Sequence, residues 1–227
     1  MTFFDFLAIV TRQKIQEVFM EKTYFWFMRH GQKPSETADD ITQFGERQVA
    51  ASVKEHLRNA GITEVFRSDT VRTQKSMGIA TELLDLASSR VDPLVDIQPP
   101  DLANLPNFSF LQFERDLQER YGDALTAWHW FESFPPTWMF RGRLQQFMEK
   151  RSIAMSRWHP SRSNILIGSH SPFGELAVPD PREARGLGYA DIVRYTTELR
   201  WLEVDGSVRT ELKIKDVKYF DCPLREE

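Results

Sequence analysis

A single cysteine, Cys222, rules out an internal disulfide and any cysteine-based metal site, and it suits a reducing compartment. Nowhere does an apolar run approach the ~20 residues that a membrane span needs. The nearest candidate, Phe3 to Val10, is interrupted by Asp5, and no basic segment precedes it, so a secretory leader is not expected either. Positive charge is not in excess. A net charge of -4 gives no reason to expect nucleic acid or an anionic membrane as the main partner, while leaving room for a local basic pocket. Internal repeats, low-complexity tracts and linkers are missing as well. With 41% hydrophobic and 27% charged residues, the 227 residues read as one cytoplasmic globular domain over 1–227.

What is present begins with Tyr24-Phe25-Trp26-Phe27-Met28, a short apolar run rich in aromatics that reads as a buried strand. Before it, Phe3, Phe6, Leu7, Val10, Ile15, Val18 and Phe19 give one apolar helical face, and Thr2 with Asp5 resembles a capping box. Residues 1–22 are therefore expected to form an N-terminal helix docked on the domain. A polar loop from Gln32 to Asp40 leads to a helix capped by Thr42. That helix has Glu46 in its first turn, Val49, Val53 and Leu57 on one face, and Gly61 past its end. Glu64-Val65-Phe66 is a short strand, followed by a helix from about Thr70 to Ala87 with Val71, Ile79, Leu83 and Leu84 as its apolar contacts. Leu94 to Ile97 reads as a third strand, closed by Pro99-Pro100.

From about 101 to 160 the chain becomes rich in aromatics, with helices expected from Leu111 to Trp130 and from Arg141 to Trp158 around Pro135-Pro136. This region reads as an inserted helical cap whose aromatics are mostly core. Asn164 to Gly168 is another buried strand, ending at Ser169-His170-Ser171-Pro172, with a helix expected next and Glu175 in its first turns. Val193 to Val204 and Val208 to Val217 alternate across Asp205-Gly206, a hairpin signal. Strands alternating with helices, and a hairpin at the end, predict a three-layer α/β/α sandwich with a mostly parallel central sheet.

Arg29, His30, Arg72 and His170 all fall at strand ends or in the turn just after them, positions that share one edge of a parallel sheet. Arg72 lies in the first turn of its helix, where unpaired N–H groups and the helix dipole favour an anion. Two guanidiniums, two imidazoles and a helix N-terminus describe a site for a phosphoryl group.

These residues resemble the motifs of the histidine phosphatase (phosphoglycerate-mutase-like) superfamily. Arg29-His30-Gly31 matches its signature, Ile41 to Gln48 resembles its Leu-Thr-x-x-Gly-x-x-Gln segment, Ser68 to Arg72 its Ser-x-x-x-Arg segment, and Gly168-Ser169-His170 its Gly-His element. The resemblance covers about 24–100 and 160–205. It implies a phosphoric monoester hydrolase in which His30 attacks phosphorus through Nε2 while a nearby carbonyl holds its other N–H. Arg29 and Arg72 would clamp the oxygens and His170 would donate a further hydrogen bond to them. No metal and no cofactor is implied. Lys33 replaces the serine that the family's mutases carry at that offset, which points to a different substrate or oxygen contact.

A leaving alkoxide needs a proton, so a carboxylic acid is expected in the pocket. Asp101 lies in the matching stretch after the third strand and is the first choice, with Glu114 and Glu175 in reserve. Glu119-Arg120-Tyr121-Gly122 resembles the mutases' Glu-Arg-His-Tyr-Gly but lacks its histidine, which leaves Glu119 as a weaker alternative and makes hydrolysis the simpler reading. The expected substrate is a phosphorylated small molecule or a phosphoprotein. A phosphohistidine-protein phosphatase and a catalytically weak phosphate-binding module of the same fold are the alternatives.

Overall fold

The computed structural model describes residues 18–35, 38–86, 91–93, 110–133, 136–158, 163–171, 173–204 and 207–225. The aromatic run lies in strand β1 (Val18–Arg29), whose alternate side chains serve two separate cores. Phe25 and Phe27 face one side of the sheet, and Trp26 and Met28 the other, as the two-residue repeat of a strand requires. With both faces covered there is no polar side to expose, which is why the run is continuous rather than alternating.

Strands β2 (Glu64–Arg67), β3 (Val91–Pro93), β4 (Ser163–Ser169), β5 (Ile192–Val204) and β6 (Ser207–Phe220) complete one sheet. Its order is β3-β2-β4-β1-β5-β6. The first four run parallel, while β5 pairs antiparallel with β1 and β6 with β5. Helix α1 (Gln43–Ser52), prolonged by the π-helical turn Val53–Leu57, and helix α2 (Val71–Leu83) cover one face. There Val49, Val53, Leu57, Met77 and Ala80 pack with Trp26, Met28 and Leu166. Helices α3 (Phe110–Tyr121) and α4 (Ala127–Ser133) lead to α5 (Pro136–Trp158) on the other side. From α5, Phe140, Leu144, Phe147, Met148 and Met155 meet Phe25, Phe27, Ile165 and Ile167. The result is a three-layer α/β/α sandwich, and α5 is one of its layers as well as the last helix of the region read as a cap. No described helix is long and apolar enough to cross a membrane.

Several expectations are revised. Residues 18–22, expected in an N-terminal helix, belong to β1, where Val18, Glu21 and Lys22 pair with Trp201, Leu199 and Glu198 of the long strand β5. Residues 1–17 lie outside the described residues, as do the expected strand Leu94 to Ile97 and the hairpin turn at 205–206. The helix expected over 111–130 is broken at Gly122, whose positive φ of 51° no α-helix accommodates. The segment after His170 makes only a 3-10 turn, Phe173–Ala177, with Gly174 close to Phe27 of β1. Val71 and Leu83, at the two ends of α2, are exposed rather than core contacts, while Met77 and Ala80 are buried.

Two motif glycines touch each other. A Cβ on Gly31 would come within 2.3 Å of the Gly45 carbonyl oxygen, and one on Gly45 within 2.6 Å of the Gln32 backbone. The loop after β1 is thereby pressed against the N-terminus of α1. Thr42 accepts the Gly45 N–H at 2.9 Å, its own N–H reaches the Gln32 carbonyl at 2.8 Å, and Gln48 accepts the Gln32 N–H at 3.1 Å. The sequence pair around residues 31 and 45 is one packing unit.

Candidate active site

β1 and β4 end side by side, with Arg29 in register with Ser169, so each strand delivers a histidine to the same edge. The rings of His30 and His170 lie 5.3 Å apart. Arg72 enters from the first turn of α2, where Thr70 caps the helix by accepting the Thr73 N–H. Its Nε donates to His170 Nδ1 at 3.3 Å. Lys33, half-buried in the loop after β1, contributes positive charge to both imidazoles.

His30 is 4% exposed, and its Nδ1 sits 2.8 Å from the Gly31 carbonyl. A carbonyl can only accept, so the ring proton is on Nδ1 and the lone pair is on Nε2. Burial, opposed by the Gly31 bond and aided by the charges of Arg29, Arg72 and Lys33, takes the pKa of His30 down to about 3. The ring is neutral across the physiological range.

His170 is locked at both nitrogens. Nδ1 accepts from Arg72, so Nε2 carries the proton and donates to Ser68 Oγ at 2.7 Å. Ser68 Oγ in turn lies 2.9 Å from Thr73 Oγ1, which donates to the Ser68 carbonyl at 2.7 Å. Both ring nitrogens of His170 are thus engaged within the protein, one by Arg72 and one by Ser68. Burial, with the charge of Arg72 next, holds His170 well below the usual imidazole range.

Arg29 is fixed on two sides. Its Nη1 donates to the Leu187 carbonyl at 2.5 Å, and its guanidinium carbon stands 4.4 Å from the centre of the Tyr189 ring. Its Nε–H is buried without a hydrogen-bond partner among the described residues, a donor that an anion's oxygen would satisfy. Arg72 Nη1 pairs with Asp39 Oδ1 at 2.7 Å on the exposed side. Neither Tyr189 nor Asp39 belongs to a motif. The Gly186-Leu187-Gly188 turn just before β5 was the one available signal for the former.

The acids divide. Asp101 lies outside the described residues, Glu114 is in α3, and Glu119 is exposed on α3. Glu175 is fully buried behind Arg29; its Oε1 accepts the Leu187 N–H at 2.8 Å and the Ser171 hydroxyl, and its Oε2 has no partner among the described residues. Burial raises its pKa to about 7. The folded state thus binds a proton that the unfolded state has released, from pH 4.5 upward, and stability falls as pH rises to about 7. The cost levels off above that at about 3 kcal/mol. Glu175→Gln is expected to gain about 2–3 kcal/mol relative to the parent chain between pH 5 and pH 8 in urea unfolding, and an equal effect at both pH values would refute the assignment.

The remaining histidines stand apart from the pocket: His56 bonds the Asp221 carbonyl and His129 stacks on Tyr121, while His159 lies outside the described residues. Arg67 pairs with Asp69.

The fold has counterparts among solved structures and is that of the histidine phosphatase superfamily. It is similar to mycobacterial glucosyl-3-phosphoglycerate phosphatase, with a TM-score of 0.57 and 15% identity over 85% of this chain and 98% of that one. It is also similar to phosphoglycerate mutase from Bacillus anthracis, with a TM-score of 0.59 and 12% identity over 85% and 92%. For the alpha-ribazole phosphatase of Shigella flexneri the TM-score is 0.51, with 19% identity over 76% and 89%. No protein-family model and no curated protein matches the chain. At these identities the likeness carries the fold, and activity rests on this chain's own residues.

Proposed function

We propose that the chain is a cytoplasmic, metal-independent phosphatase that hydrolyses a phosphomonoester through a phosphohistidine on His30. The observation that supports it most is the state of that ring, which is buried and neutral, with its Nδ1 proton held by Gly31, its Nε2 lone pair uncommitted to that bond, and the charges of Arg29 and Arg72 acting on it. Nε2 attacks phosphorus, and the bond from phosphorus to the leaving oxygen breaks with its electron pair on that oxygen. Asp101 is the proposed acid that protonates it. Water then attacks phosphorus and gives its proton to the same carboxylate. The phosphorus–nitrogen bond breaks, inorganic phosphate leaves and His30 is restored. Arg29 and Arg72 bind the transferring oxygens and offset their charge, with Lys33 adding to the field and His170 bracing the site. The neighbours of this fold named for phosphatase activity support the reaction class, and the substrate is proposed to be a phosphorylated small molecule or a phosphoprotein.

Turnover of p-nitrophenyl phosphate in excess EDTA tests the reading. The expected result is activity that survives chelation, with an Asp101→Asn variant that keeps this acidic leaving group while losing an alkyl phosphate by about 10²-fold or more. No turnover of any of several phosphate esters would overturn it in favour of a phosphate-binding module. Turnover confined to phosphohistidine peptides would make it a phosphohistidine-protein phosphatase.

A further inference from the structure

The turn that precedes β5 is built more firmly than a connection needs to be. Ala190 occupies the left-handed region at φ 58°, which costs a non-glycine residue on the order of 1 kcal/mol and persists only where the surroundings over-determine it. Here they do. The Ala190 N–H reaches the His30 carbonyl at 3.2 Å, the Arg29 N–H reaches the Asp191 carbonyl at 3.0 Å, and the Gly188 N–H reaches Asp191 Oδ2 at 2.7 Å. Asp191, itself buried, is gripped from behind by the Cys222 N–H and by Arg225, each at 2.7 Å from Oδ1. All of this fixes one side chain that no motif contains. The Tyr189 ring lies 4.4 Å beneath the Arg29 guanidinium and 5.8 Å from the His30 ring.

We infer that Tyr189 is a positioning residue for anion binding: its ring holds the flat face of Arg29 while the Leu187 carbonyl holds one edge, so that the remaining N–H groups are aimed at the oxygens of a bound phosphoryl group. A guanidinium over an aromatic face is attracted by the ring's quadrupole, and the effect strengthens where water is excluded. The ring, rather than the hydroxyl, carries the role. The kinetic consequence rests on the phosphatase reading, whereas the binding consequence does not.

The test is calorimetric binding of inorganic phosphate and orthovanadate to the full chain and to Tyr189→Phe, Tyr189→Leu, Arg29→Ala and the double variant, alongside p-nitrophenyl phosphate kinetics. Tyr189→Phe is expected to bind both anions within about twofold of the parent, and Tyr189→Leu about 5–10-fold more weakly with a matching rise in KM. In the Arg29→Ala background Tyr189→Leu should add almost nothing, which a general loss of structure would not mimic. A folded Tyr189→Leu chain that binds phosphate normally overturns the inference, as does an additive double variant or a tenfold loss in Tyr189→Phe. Weakened binding in a chain that never turned over substrate would instead sink the phosphatase reading and leave Tyr189 in place. A parent chain that binds neither anion overturns both.

Discussion

Replacing His30 by alanine is expected to lower kcat/KM for p-nitrophenyl phosphate by about 10³-fold or more while leaving phosphate affinity within a few fold. The split follows from the geometry. Nε2 is the atom proposed to form the covalent bond, whereas the anion is proposed to be held by Arg29 and Arg72, which are anchored by the Leu187 carbonyl, the Tyr189 ring and His170 Nδ1. The same variant carries a second signature. The folded chain refuses a proton on His30 until about pH 3, while the unfolded chain accepts one at 6.5. Stability from this group is complete above pH 6.5 and is lost as pH falls toward 3, by up to about 5 kcal/mol. His30→Ala should therefore flatten the acid limb of the stability profile at the same time as it removes turnover. Retained turnover would end the nucleophile assignment. An unchanged acid limb would mean that the ring titrates normally.

Arg72→Ala is expected to cost about 10²–10³-fold in kcat/KM, most of it in kcat, because the charge it is proposed to offset is greatest in the transition state. Arg72→Lys should recover only a small part, since an ammonium cannot present two parallel N–H groups to two oxygens. The Arg72–His170 bond adds a diagnostic. If His170 acts by holding Nε of Arg72, then His170→Ala lowers the rate in the parent chain but changes little once Arg72 is alanine. Fully additive losses would instead restore direct donation from His170 to the substrate as its role. Equal falls in rate and affinity for Arg72→Ala would indicate simple ground-state binding.

Much of this molecule could be read from the chain because its signals are local. Thr42 caps its helix by the hydroxyl chemistry that its position suggested, and the alternation of residues 193–217 became an antiparallel pair. The strand ends that carry Arg29, His30 and His170 were legible from where apolar runs stop, and they meet at one edge, although what each residue does there is a proposal. Non-local features were harder. Val18 to Lys22 has a helical apolar spacing, yet β5 extends far enough to pair with it, and pairing outweighs propensity. The apolar residues of α5 looked like those of a cap because a helix packed on a sheet and one packed on other helices bury the same stripe. Tyr189 was hard to single out for a different reason. A tyrosine in a glycine-flanked turn has no periodicity to mark it, and only the folded backbone shows that Arg29 lies on its face.

The contact between Gly31 and Gly45 has a consequence for how such a molecule can diversify. Neither position can gain even a methyl group unless the opposing peptide moves, and that movement would carry His30 with it. New chemistry must therefore come from the rim, at places such as Lys33, Asp39 and the helices between β3 and β4. The turn beneath His30 stays as inherited.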